Sequence, residues 1–158
     1  MDTTDILIKI RRIVRSINME SKKIQKEYGV SIPQVLCLGF LKSTPDYQAT
    51  QSQIKEFLNL NSSTVSGIIS RLEKKACIAR LPKKGDKRLV YLALTQEGDE
   101  LLSSVPNLLH ERLSDKLENV GDDELNQLES ALNKLIDLLE IRHLEASPIL
   151  VNDIDLAE

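Results

Sequence analysis

Tryptophan is absent from this chain, and aromatic residues make up only 3% of it. A core without large rings has to be filled by Leu, Ile and Val, and 41% apolar residues of that kind suit packed helices. Six glycines and five prolines in 158 residues are too few for a loop-rich β sandwich. No apolar run approaches the roughly 20 residues that span a bilayer. The stretch Met1 to Arg15 interleaves charges with isoleucines and lacks the continuous apolar segment of a secretory leader. The two cysteines, Cys37 and Cys77, form no metal motif, so a cytoplasmic chain with reduced thiols is expected. Also missing are a Gly-rich phosphate loop, a Gly-x-Ser-x-Gly elbow and a Ser/His/Asp set in a strand-rich frame. His110 and His143 are read on long helices, without partners at ligand spacing. The chain is therefore read as no enzyme, with no catalytic residue, cofactor or metal expected.

What is present is charge, unevenly spread. The net charge is −3, but residues 71–95 carry eight Lys or Arg against two acids, a net of +6. Residues 1–70 come to +3 and residues 96–158 to −12. A concentrated basic segment of this kind fits phosphate binding, and an acidic remainder discourages adhesion elsewhere.

Periodicity supplies the elements. Ile6, Ile10, Ile13, Ile17 and Ile24 predict an amphipathic helix from Asp5 to about Tyr28, stopped by Gly29. Ser31 caps a second, largely apolar helix through Leu41, with Pro33 in its first turn. After Thr44-Pro45-Asp46, a short helix is expected at Gln51–Leu58, followed by Asn59 in a tight turn. Asn61 then caps a helix from Ser62 to about Lys75, and two short helices joined this way form a helix-turn-helix pattern. Ile78–Leu81 and Leu89–Thr95 read as strands flanking a basic hairpin tip, with Gly85-Asp86 as its turn element. Thr95 caps a long helix expected to reach about Val120. A last helix follows Gly121, its Leu125, Leu128, Leu132, Leu135 and Leu139 stepping like a coiled-coil seam.

Two features carry chemistry. Ser62, Ser63, Thr64, Ser66, Gly67, Ser70 and Arg71 lie on the polar side of the 62–75 helix, opposite Val65, Ile68, Ile69 and Leu72. Small hydroxyl residues let a helix sink close to base edges in a major groove about 12 Å wide. Arg71 and Lys74 sit further on, placed for the phosphate backbone. The hairpin tip carries Lys83, Lys84, Lys87 and Arg88 on a ribbon thin enough for a minor groove, with Asp86 placed to orient Arg88. Either feature alone also fits a solvated surface. Cys37 reads as core packing; Cys77 follows Lys74-Lys75, whose charges favour a thiolate, but it too is read first as structural.

The run from Ser31 to Gly98 resembles the MarR family of winged-helix regulators. The resemblance rests on Ser31-Ile32-Pro33-Gln34-Val35-Leu36, on Thr50-Gln51-Ser52-Gln53-Ile54, and on Ser63-Thr64-Val65-Ser66 with Arg71-Leu72-Glu73-Lys74-Lys75. It rests above all on Asp86-Lys87-Arg88 followed by Leu94-Thr95 and Gly98. The resemblance implies a fold that is mainly α with a small β-hairpin wing: a winged helix-turn-helix domain plus a helical dimerisation region. The expected division is an N-terminal helix at 1–30, a DNA-binding domain at 31–95, dimerisation helices at 96–145 and a flexible tail at 146–158.

It further implies a homodimeric transcriptional regulator, commonly a repressor, that binds double-stranded DNA at a pseudo-palindromic operator. Ser62–Lys75 would enter the major groove and a wing centred on Arg88 the minor groove. A small-molecule effector would occupy a cleft where the first two helices meet the helix after Thr95, with Arg12, Arg15 and Asn18 facing either it or solvent. Two positions depart from the family pattern: Lys55 replaces a small residue, and Ala76 replaces a glycine, closing its helix without glycine's left-handed freedom. The N-terminal Ile10-Arg11-Arg12-Ile13-Val14-Arg15, with Ser21-Lys22-Lys23 and Tyr28-Gly29, resembles a subgroup associated with ectoine and other compatible-solute genes. The alternative is a winged helix whose basic tip docks an acidic protein partner. Salt-dependent preference for one duplex separates the two.

Overall fold

The computed structural model describes residues 2–83 and 86–157, and side chains are described for these apart from 83, 86–88 and 157. In chain order the helices are α1 (Thr3–Tyr28), α2 (Ile32–Ser43), α3 (Gln51–Leu58), α4 (Ser62–Lys74), α5 (Gln96–Ser104), α6 (Leu109–Leu117), α7 (Asp122–Leu138) and α8 (Asp153–Ala157). The strands are β1 (Gln48–Ala49), β2 (Ile78–Lys83) and β3 (Asp86–Leu94). The fold is mainly helical with a small antiparallel sheet, as the sequence reading held. Among the described residues, no helix is long and apolar enough to cross a membrane.

The chain divides into two compact units, Met1–Pro106 with Val151–Glu158, and Asn107–Leu150. In the first, α2 is central. Ile32, Val35, Cys37, Leu38 and Leu41 are buried, and α2 packs against α3, α4, α5 and β3. Such a helix has to be apolar on most sides. Its start is fixed locally: Ser31 and Gln34 exchange side-chain and backbone hydrogen bonds in a capping box, and Pro33 needs no amide partner there. The preceding α1 begins two residues earlier than expected, because Asp2 accepts from the Thr4 amide at 2.9 Å. It ends at Gly29, whose φ of 69° is the left-handed geometry glycine adopts freely. Ile24 of α1 is buried, whereas Leu7, Ile8 and Ile13 stay exposed.

The sheet has one more strand than the sequence announces. Its order is β1-β3-β2, with Gln48 opposite Ala93 and Ala49 opposite Leu92. Two residues carry no readable alternation, so β1 is defined by its partner. β2 lies at the edge, where Pro82 is tolerated without an amide to donate. The β2–β3 ribbon runs further than expected, through Lys83 and from Asp86, while Lys84 and Gly85 lie outside the described residues. Residues Asp153–Ala157, within the stretch expected to be a flexible tail, form α8, which lies against α2. The Asn152 amide also donates to Ser21 Oγ at 3.4 Å.

The long helix expected from Thr95 to Val120 is corrected: α5 ends at Ser104 and α6 starts at Leu109. Pro106 is the cause. It has no amide to donate and drives Val105 into extended backbone, φ −81° and ψ 130°.

In the second unit, α7 opens with Asp122, Asp123 and Glu124 at its positive end. Its leucine seam stands open, with Leu128 and Leu132 at 46% and 48% exposure. α7 stops at Leu138, so Leu139 is its cap and His143 lies beyond the helix on which it was read.

Candidate nucleic-acid interface

The helix-turn-helix is held by side chains that bond only a few residues away. Thr50 and Gln53 form a capping box at the start of α3. Asn59 ends that helix in the left-handed region at φ 53°, its amide donating to the Lys55 carbonyl at 2.9 Å. Asn61 Oδ1 then accepts from the Thr64 amide at 2.9 Å and starts α4. Each polar residue expected to make the turn makes it. Lys55 is exposed, so its long side chain reaches solvent without disturbing the core beneath.

One face of α4 is committed to the core. Val65, Ile68, Ile69 and Leu72 are all 1% exposed or less, each burial worth about 1.5–3 kcal/mol. The opposite face presents Ser62, Ser63, Ser66, Ser70 and Lys74 exposed, with Thr64, Gly67 and Arg71 half-buried. Of the amides at the helix start, those of Ser62 and Ser63 have no partner among the described residues. They leave a positive helix end open to an anion. Ser66 is not free-standing: Gln51, at the first position of α3, donates its side-chain amide to Ser66 Oγ at 2.8 Å. From the sequence Gln51 enters only as the start of a short helix and as part of the run Thr50–Ile54, with no role at the site. Its partner lies 15 positions away, beyond the reach of any local pattern.

The far end of α4 is clamped. The Cys77 amide donates to the Leu72 carbonyl and the Ala76 amide to that of Glu73, both at 2.9 Å, closing a Schellman motif. Here the expectation for Ala76 is overturned. The residue adopts the left-handed geometry at φ 58° even without glycine, because the surrounding hydrogen bonds impose it. Thr95 Oγ1 donates to the Ala76 carbonyl at 2.6 Å and accepts from the Gly98 amide at 3.1 Å. A Cβ on Gly98 would lie 2.2 Å from the Cys77 carbonyl oxygen. The Leu94-Thr95 and Gly98 motif thus has a steric reason: it brings α5 onto the end of α4.

The neighbouring charges sort themselves. Lys75 Nζ donates to the Gly29 carbonyl, and Arg80 pairs with Glu73 at 2.8 Å, so both are engaged within the chain. Lys74 is exposed and Arg71 half-buried on the outer side of α4. Of the wing residues, Lys83, Asp86, Lys87 and Arg88 have backbone in β2 and β3. Their side chains, and all of Lys84, lie outside the described residues, as does the expected pairing of Asp86 with Arg88.

Neither cysteine is poised as a thiolate. Burial pushes the Cys37 thiol up to about 12. It also raises that of Cys77, outweighing the opposing charge of Lys75, so the thiolate-favouring effect read from Lys74-Lys75 does not prevail. Among the described residues, no group of three or more His, Cys, Asp or Glu is placed to hold a metal ion.

A family model described as "MarR family" matches residues 28–89, which takes in α2, the helix-turn-helix and the start of β3. The uncharacterized HTH-type transcriptional regulator YkoM of Bacillus subtilis (strain 168) is 31% identical over 123 residues, covering 78% of this chain and 79% of the relative. The transcriptional repressor MprA of Escherichia coli (strain K12) is 27% identical over 130 residues, covering 78% and 74%. Among solved structures, the MepR–DNA complex of S. aureus superposes with a TM-score of 0.61 at 22% identity, covering 82% of this chain and 95% of that one. That last likeness concerns the fold alone. With a capped helix-turn-helix, a Ser/Thr-faced second helix and a β ribbon behind it, the chain belongs to the MarR family of DNA-binding, winged-helix transcriptional regulators, which are not enzymes.

Proposed function

We propose that the chain is a homodimeric repressor that recognises a pseudo-palindromic operator. Ser62, Ser63, Thr64, Ser66, Gly67 and Ser70 of α4 face base edges or adjacent phosphates in the major groove. Arg71, Lys74, Lys83, Lys84 and Lys87 supply phosphate charge. Arg88 enters the minor groove, oriented by Asp86. The observation that carries the reading is the division of α4: four aliphatics are buried to fix the helix, while its serines remain exposed just ahead of the cation-rich run 71–95. Serine is a poor helix former, and massing it on an open face favours contact over a merely structural role. The description of one relative as a repressor supports the direction of control.

A second copy of the chain is the partner of the exposed apolar faces. Leu7 and Ile13 of α1 and Leu128 and Leu132 of α7 are open in one protomer, and apolar stripes of this extent mark association surfaces. Residues 1–30 and 96–145 make up the dimerisation region of this reading, and 31–95 the DNA-binding domain. Release by a small-molecule effector belongs to the reading, with no residue assigned to it. The setting we propose is compatible-solute control, supported by the N-terminal resemblance around Ile10–Arg15.

Selection of bound fragments from genomic DNA at physiological salt tests all of this. Recovery of an inverted repeat, bound far more tightly than unrelated duplex and losing affinity steeply with salt, is the expected result. Equal binding to every duplex would sink operator recognition and leave docking to an acidic protein as the role of the basic tip. Selected sites that lie away from compatible-solute genes would remove that setting.

A further inference from the structure

The Gln51–Ser66 contact does more than join two helices. Some helical serines of the first unit spend their proton on their own backbone: Ser16 donates to the Ile13 carbonyl, Ser43 to that of Phe40 and Ser104 to that of Leu101, each at 2.7 Å. Among the described residues, Ser66 makes no such bond. Its oxygen instead accepts from the Gln51 side-chain amide at 2.8 Å, on a face of α4 that is exposed. A hydroxyl has one proton to give and two lone pairs that accept, and the Gln51 amide occupies one of them. With an amide N–H already directed at the oxygen, the proton is turned away from Gln51 and remains available.

We infer that Gln51 is a positioning residue for base recognition, occupying one lone pair of Ser66 and turning its proton outward, so that the hydroxyl favours a base edge offering an acceptor and disfavours cytosine. In the major groove, guanine offers N7 and O6, adenine N7 and thymine O4, whereas cytosine presents only its N4 amino group. A hydroxyl free to rotate would tolerate all four. A hydroxyl with its proton turned outward and one lone pair already engaged favours those acceptors over the cytosine amino group. Gln51 acts through Ser66 and needs no contact with a base itself. The inference rests on the reading of α4 as the recognition helix in the major groove.

The test compares the sequence preferences of the full-length chain and its variants, using selection from a randomised duplex pool. The wild type should show one position in each half-site where cytosine is disfavoured about three- to tenfold, the range of one net hydrogen bond. Ser66→Ala should erase that preference. Gln51→Ala should erase it too, because the freed hydroxyl can then accept from cytosine. Gln51→Glu should reverse it: a carboxylate accepts the Ser66 proton, leaving the oxygen to accept from cytosine N4 or adenine N6. Preference is the readout, since a carboxylate near phosphates lowers affinity for every sequence. If both Gln51 variants bind all sequences more weakly with the wild-type profile intact, Gln51 is only a strut and the inference is overturned. If the wild type itself selects no sequence, operator recognition fails first, and that outcome is distinct from the other.

Discussion

In α4, Val65, Ile68, Ile69 and Leu72 are almost wholly covered by their own chain, whereas in α7 Leu128 and Leu132 remain 46% and 48% exposed. Both stripes are written in the same helical period. Periodicity therefore states that a face must be covered and says nothing of what covers it. The stripe of α4 is closed by α2, α3 and β2, so its cost and benefit both belong to folding. That of α7 is still open, and on the dimer reading its burial is deferred to association.

The largest effect should come from charging the open stripe. Leu128→Asp with Leu132→Asp removes four leucines from the interface of a dimer, at roughly half the 1.5–3 kcal/mol of full burial each, since about half of each side chain is already covered in the protomer. Sedimentation should then report a monomer at micromolar concentration, with affinity for the selected duplex lost. A variant that still sediments as a dimer would place the interface elsewhere. Truncation in the closed stripe sharpens the contrast. Leu72→Ala should cost about 2–5 kcal/mol in denaturant unfolding. Its loss should not depend on protein concentration once the concentration dependence of the dimer is allowed for.

Removing charge should touch neither stripe. Arg88→Ala is expected to cost about 1–3 kcal/mol of affinity for the selected duplex, while sedimentation and melting stay at wild-type values. Unchanged binding by gel shift would take the wing out of the proposed contact.

The buried thiol of α2 gives a pH test of the closed core. Cys37 is raised to about 12 from an ordinary value of 9.0, so the unfolded chain loses this proton first. Stability is unaffected by this group below pH 9 and falls as pH rises from 9 toward 12. The slope is about 1.4 kcal/mol per pH unit from this group alone. Cys37→Ala should therefore melt with a shallower alkaline decline than the wild type, whatever its stability at neutral pH. Parallel declines would mean that the thiol is not sealed from water.

What could be read in advance follows the range of each interaction. Ser31, Asn61 and Thr95 cap helices by bonds to residues three positions on, and all three were read as caps; Thr50 makes the same kind of bond but was not read as one. So were Gly29 and Asn59, whose roles depend on their own backbone angles. The pairing of β1 with β3, the grip of Lys75 on the Gly29 carbonyl and the Gln51–Ser66 bond join distant positions, and no local pattern encodes them. Pro106 was a legible break that the apolar rhythm on either side of it concealed.

Ala76 is the case in which local reasoning pointed the wrong way, and it supplies the smallest prediction. A left-handed alanine costs about 1–2 kcal/mol relative to a right-handed one, yet here the cost is met by surrounding bonds. Two amides feed the Schellman closure, and Thr95 holds the Ala76 carbonyl. Ala76→Gly removes the strain but gives the unfolded chain more freedom, a penalty of about 0.4–1 kcal/mol. The net expectation is a gain of about 0.5 kcal/mol, which for a chain of this size raises the melting temperature by roughly 1–2 °C. Binding to the selected duplex should stay within twofold, because the clamp from Thr95 sets the end of α4 with either residue. A fall in melting temperature would show that the alanine sits in relaxed backbone. A large change in affinity would show that the clamp alone does not fix how α4 is presented.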